Sequence, residues 1–156
     1  MSDEQAEKIR QELRNHNELV CGLISRLILE LKTRALWHDR SKFEPPEFEH
    51  FLIYTPKLKK TTYGSDAYKE FLRQLKPALD HHYKANRHHT EHFTQGIRGM
   101  NLVDLIEMFC DWMAATARHT DGDIRRSIEQ NKTRFGYDDI VADIFANTAD
   151  WLETST

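Results

Sequence analysis

Glycine, proline and cysteine are all scarce in this chain, at 6, 4 and 2 of 156 residues. So few turn-forming residues argue against a protein built from many short strands. Cys21 and Cys110 lie far apart with no CxxC spacing, which gives neither a zinc knuckle nor a disulfide framework. Both fall inside apolar helical patterns and are expected to be buried free thiols, in keeping with a reducing compartment. An excess of one charge is missing too. The net charge is −3 with acidic and basic residues interspersed, and beyond the local run Lys57, Lys59 and Lys60 there is no basic stripe to follow a phosphate backbone. Long nucleic acid is therefore not the expected partner. No apolar run approaches a bilayer-spanning length, and the charged opening MSDEQAEKIRQELR does not have the apolar centre of a signal peptide. A soluble, cytoplasmic protein with no membrane partner is expected.

What remains is a chain that is 39% hydrophobic, 30% charged and 10% aromatic, a balance that suits helices with wet outer faces better than disorder. Its length fits one domain over residues 1–156. Leu13, Leu19, Val20, Leu23, Ile24, Leu27, Ile28 and Leu31 recur with helical period from about Glu4 to Leu31. A second short helix is expected over Thr33–Asp39, ending before Pro45-Pro46, and another over Glu47–Tyr54. The stretch TPKLKKTTYGS reads as a loop and a candidate lid. Ser65 or Asp66 can cap a helix with the stripe Phe71, Leu72, Leu75, Leu79 and His82. Asn101 opens the most apolar segment, expected to run through the centre of the domain, and Asp123 caps the next helix. A last helix carries Ile140, Val141, Ile144, Phe145, Trp151 and Leu152. These elements predict an all-α single compact domain of about six or seven helices.

Within this pattern His16 completes the series Leu13, His16, Val20, Leu23, Leu27, and so points to the apolar side of the first helix. Asp111 sits in an apolar helix, where a bare carboxylate would cost several kcal/mol unless a cation or strong donors meet it. His38 and Asp39 are adjacent at a helix end, where both side chains can converge on one ion. His81, His82, His88, His89 and His92 crowd the run between the leucine stripe and Asn101. Imidazoles and carboxylates drawn from several helices are the ligand types of a divalent metal of borderline softness.

The order His16, His38-Asp39, a histidine pair or two, then Asp111 resembles the H…HD…H…H…D arrangement of the HD-domain metal-dependent phosphohydrolases. WHDRSK is similar to their HD-x-x-K segment, though Ser41 replaces the usual glycine, and IEMFCDWMAATARH is similar to the helix that bears their final aspartate. The resemblance runs from Leu13 to Arg118. The whole chain also resembles small uncharacterised proteins of bacteria and their phages, which implies no activity. The HD resemblance implies an HD-domain-like bundle with His16, His38, Asp39 and Asp111 as ligands of a first metal, Asp39 bridging to a second. His82 and His89 are the preferred ligands of that second ion, with His81 and His88 as rivals, and Lys42 matches the lysine that helps bind phosphate.

Such a site implies one or two divalent ions, from Fe, Mn, Zn, Co and Ni with Mg as a further candidate, and hydrolysis of a small phosphoester, a nucleotide above all. Lys42, Arg40, Arg87 and Arg118 are candidate phosphate clamps. Asp39, Lys42 and Glu107 are the candidate catalytic groups, Glu107 as a proton shuttle or a partner to a metal-bound histidine. Trp37, Tyr54, Tyr63 and Tyr83 could stack a base. Homodimerisation is compatible with a small helical enzyme. Two other readings keep the site: an HD-fold di-iron oxygenase, and a non-catalytic module that binds a nucleotide or a protein partner.

Overall fold

The computed structural model describes residues 3–61, 65–118 and 121–154. Its regular structure is all-α: six α-helices, three short 3-10 helices and no strand among the described residues. The chain divides into two units, Met1–Trp37 and His38–Thr156. No helix is long and apolar enough to cross a membrane among the described residues.

The first unit is one helix, α1 (Asp3–Trp37). The expected break after Leu31 does not occur. No proline or glycine interrupts Leu31 to Trp37, and Thr33 turns its hydroxyl inward to donate to the Leu29 carbonyl at 3.0 Å, which keeps it in the helix. None of the residues of α1 is buried, and its apolar stripe includes Leu13, Val20, Leu23 and Leu27. Cys21 is exposed, against expectation. Glu7 is bonded to both Arg10 and Arg14, and Glu30 to Arg34, the helical spacings at which opposite charges support one another.

The second unit begins with a 3-10 helix, Arg40–Phe43, and α2 (Glu47–Lys59). α2 runs past Tyr54 and through Pro56, so the stretch expected to be a loop is helical as far as Lys59; residues 62–64 of the candidate lid, Tyr63 among them, lie outside the described residues. α3 (Asp66–Ala85) is capped by Ser65, whose hydroxyl accepts from the Tyr68 N–H at 3.2 Å, and carries Pro77 without ending. It packs along α2. After α3 the chain makes two further 3-10 turns, Thr90–His92 and Gly96–Gly99. Gly99 is pressed against Phe93, where a Cβ would lie 2.8 Å from the Phe93 Cβ.

α4 (Leu102–Ala117), α5 (Ile124–Phe135) and α6 (Asp139–Thr154) build the core. Asn101 and Asp104 form a reciprocal capping box on α4, and Asp123 accepts from the N–H groups of Arg125 and Arg126 on α5. Gly136 ends α5 in the left-handed region, φ 71°. Phe109 and Phe145 stack with centroids 5.2 Å apart, and the Tyr137 hydroxyl donates to the Ile128 carbonyl at 2.6 Å. On α6 the inward residues are Ala142, Phe145 and Ala149, while Ile140, Ile144 and Trp151 are exposed. α4 is likewise only half enclosed: Met108 and Phe109 are buried, whereas Leu102, Ile106 and Cys110 are exposed, contrary to a central path and to a buried thiol.

Candidate metal centre

Directly after α1 the chain must turn, and Asp39 makes that turn with a left-handed backbone, φ 55° and ψ 20°. Aspartate tolerates this region better than most residues with a Cβ. The reversal lets the neighbouring side chains of His38 and Asp39 approach each other, His38 Nε2 standing 3.5 Å from Asp39 Oδ2. In a continuing helix they would point about 100° apart.

Around Asp39 four imidazoles converge. Asp39 Oδ1 lies 3.2 Å from His82 Nε2 and 3.4 Å from His88 Nε2. His89 Nε2 is 2.8 Å from His82 Nε2, and His38 Nε2 is 3.7 Å from Asp111 Oδ1. Ligand atoms of Asp39, His82, His88 and His89 all fall within 4.8 Å of one another, as do those of His38, His88 and Asp111. Donors bound to one ion at about 2.1 Å stand about 3.0 to 3.4 Å apart; the 3.2 and 3.4 Å separations at Asp39 Oδ1 fall in that range, and small shifts of the other side chains would let each group close on an ion.

Hydrogen bonding tells against a merely structural polar cluster. Asp39 Oδ1 and His88 Nε2 are buried and make no hydrogen bond, a cost that a folded protein seldom leaves uncompensated. The two Nε2 atoms facing each other at 2.8 Å must share a proton or both bind a cation, since two lone pairs would repel.

The far sides of the His38, His82 and His88 rings are held by carboxylates. Glu107 Oε1 is 3.0 Å from His38 Nδ1 and 3.1 Å from His88 Nδ1, and Glu47 Oε2 is 2.9 Å from His82 Nδ1. Glu47 and Glu107 thus stand on the Nδ1 side of these three rings, whose Nε2 atoms are turned to the centre. Glu47 is fully buried; it also meets His81 Nδ1 at 2.7 Å and accepts from the Ser41 hydroxyl at 3.0 Å. Ser41 in turn accepts from Asn86 at 2.8 Å. Partners of this kind fix the tautomer and orientation of metal-bound histidines.

The electrostatics draw cations. His38 is pushed up to about 10 by its bonds to Asp111 and Glu107, against the effect of burial. Burial would raise the Asp39 carboxyl, but His82, His88 and Lys42 outweigh it and hold it far below the carboxylate range. Burial would raise the Asp111 carboxyl too, but its bond to His38 outweighs this and lowers it. For His88 burial works downward, yet Asp39 and Glu107 raise it. His89 has no carboxylate of its own, and burial together with the charges of His88 and His82 lowers it to about 3. A metal ion bound at the Nε2 atoms would take the place of the protons held there.

The structure brings together most of the residues marked in the sequence. His38, Asp39, His82, His89 and Asp111 all enter the two groups, and His88, a rival to His89, joins beside it. His81 instead turns to Glu47 with its ring half exposed. Every member of the two groups belongs to the His38–Thr156 unit; His16 stands exposed on α1. Lys42 reaches back to Asp39 Oδ2 at 2.5 Å. Arg40 is exposed beside Glu44 at 3.4 Å. Arg87 sets its fork on the fully buried Asp104, at 3.0 and 2.9 Å, and stacks on Phe93. Arg118 is exposed at the end of α4. Tyr83 lies against His89, with centroids 4.8 Å apart, and Tyr54 against Phe71. Glu47 is the residue that sequence reasoning missed. Its only signal was an acid directly after a double proline, where a surface helix start is the ordinary meaning.

Fold and site together define an all-α protein with a buried histidine–carboxylate cluster of metal-ligating type. The chain belongs to the family described as "Family of unknown function (DUF5662)", whose model matches residues 5–156. No curated protein and no solved structure matches it.

Proposed function

We propose that this protein is a metal-dependent phosphohydrolase of the HD-domain kind, acting on a small phosphoester such as a nucleotide. The observation that carries the reading is the convergence of His38, His82 and His88 Nε2 atoms on the two oxygens of Asp39, each ring held from behind by Glu47 or Glu107. Bound divalent ions, from Fe, Mn, Zn, Co, Ni or Mg, would acidify a water molecule and stabilise charge on the phosphoryl oxygens. In this reading water adds to phosphorus, the ester P–O bond breaks and a proton passes to the departing alkoxide. Asp39, His38, His82, His88, His89 and Asp111 would hold the ions, Glu107 would keep His38 and His88 oriented, and Lys42 and Arg40, on the turn that carries Asp39, would contact the phosphate.

The test is metal analysis of protein purified without chelators or a histidine tag, wild type beside Asp39→Asn, followed by turnover of nucleotides. One or two equivalents of metal in the wild type, lost in the variant, with phosphate released from a nucleotide, supports the proposal. No metal in the wild type after reconstitution overturns it and leaves a binding module. The histidine-rich donor set also suits a di-iron oxygenase, and oxygen consumption by the ferrous protein without phosphate release would favour that reading.

A further inference from the structure

The two oxygens of Asp39 face unlike surroundings. Oδ1 looks toward His82 and His88, with His89 Nε2 beyond at 2.8 Å from His82, a set dominated by nitrogen. Oδ2 looks toward His38, whose Nε2 meets Asp111 Oδ1 at 3.7 Å; with His88, which belongs to both groups, this side sets two carboxylates beside two imidazoles and so has the higher share of oxygen. Imidazole donors favour first-row metals such as Zn and Fe, whereas carboxylate oxygens suit harder ions such as Mn and Mg. The sides differ in a second respect. On the nitrogen side Asp39 Oδ1 and His88 Nε2 are left without hydrogen bonds. On the oxygen side a cation is already present, the Lys42 ammonium at 2.5 Å from Asp39 Oδ2.

We propose that Lys42 is the built-in occupant of the second cation position, so that the centre loads in order. A first-row metal takes the nitrogen-rich side of Asp39, and a second, harder ion then enters the oxygen-rich side by displacing the ammonium of Lys42. The proposal rests on the metal centre of the preceding section and adds the inequality and order of its two positions. Two further features fit a lysine that can leave. Its side chain is 39% exposed, and its Nζ already lies 5.9 Å from the Phe51 ring centroid, a face that attracts a cation. Moved off Asp39, the ammonium stands free beside the second ion, so binding of that ion and binding of a substrate phosphate become coupled through one side chain.

The experiment loads protein with one equivalent of Zn2+ and titrates Mn2+, reading free Mn2+ by electron paramagnetic resonance and bound zinc by metal analysis. Wild type, Lys42→Met, Lys42→Gln and Asp111→Asn are compared after circular dichroism has shown equal helix content. Removing the competing charge should tighten the Mn2+ site about tenfold in a Lys42 variant and leave zinc retention unchanged, while Asp111→Asn should lose the Mn2+ site and keep the zinc. Unchanged or weaker Mn2+ binding in both Lys42 variants overturns the proposal. A wild type that holds zinc but no second ion overturns it while sparing the metal centre. A wild type that holds no ion removes both.

Discussion

At Asp39 a backbone requirement and a charge requirement fall on one residue. Asparagine can keep the left-handed turn but not the charge, and alanine keeps neither. Asp39→Asn and Asp39→Ala should therefore both lose metal, with Asp39→Ala the less stable of the two by about 1 kcal/mol in thermal unfolding. Histidines of opposite shift give the metal-free protein a stability optimum. His89, lowered to about 3, stays neutral in the fold while the unfolded chain takes up a proton below about 6.5, so stability falls as pH drops through that interval. His38, raised to about 10, and His88, raised likewise, keep protons that the unfolded chain gives up above about 6.5, so their contribution is complete below that value and is lost as pH climbs toward 10. Melting temperature in excess chelator should peak near neutrality. His89→Gln should flatten the acid limb and His38→Gln the alkaline one; a profile unchanged by both would contradict these assignments. That His38, Asp39 and Asp111 lie near one another was legible because a carboxylate in an apolar helix is costly and because a His-Asp pair at a helix end can turn both side chains one way. Glu47 was not, since its burial depends on the meeting of α2 and α3, which no local pattern records.

Among the elements, helix starts were read well and helix stops poorly, for a physical reason. A cap is a local bond between residues two or three apart, as at Ser65, Asn101 and Asp123, whereas the effect of a proline depends on whether the surroundings hold the helix together around it. Pro56 and Pro77 are carried inside α2 and α3, and α1 ends at Trp37, eight residues before Pro45. The Asn101–Asp104 box offers a measurable case. Asn101→Ala should cost about 1 kcal/mol in chemical denaturation. Asp104→Ala should cost about 2 kcal/mol, because it removes both the return bond of the box and the carboxylate that anchors the Arg87 guanidinium. Arg87 directly precedes His88, so Asp104→Ala should also speed metal release to a chelator, an effect that Asn101→Ala should not share to the same degree.

Over the whole molecule, the class of fold was set by the scarcity of glycine and proline and by repeated helical periods. Which apolar residues form the core was less legible. Periodicity marks a face, but Ile140, Ile144 and Trp151 are exposed while Ala142, Phe145 and Ala149 are enclosed on the same helix. Phe109, stacked on Phe145, is a central member of the core, and Phe109→Ala should cost about 3–5 kcal/mol, read as a lowered denaturant midpoint with an unchanged slope. The donors of the candidate metal centre are spread from His38 to Asp111, and their order along the chain sets a sequence of events during synthesis. As the polypeptide leaves the ribosome, Asp39, His82, His88 and His89 emerge before α4, while Asp111 follows in that helix. The nitrogen-rich set is therefore complete in the nascent chain while the oxygen-rich set still wants its last carboxylate.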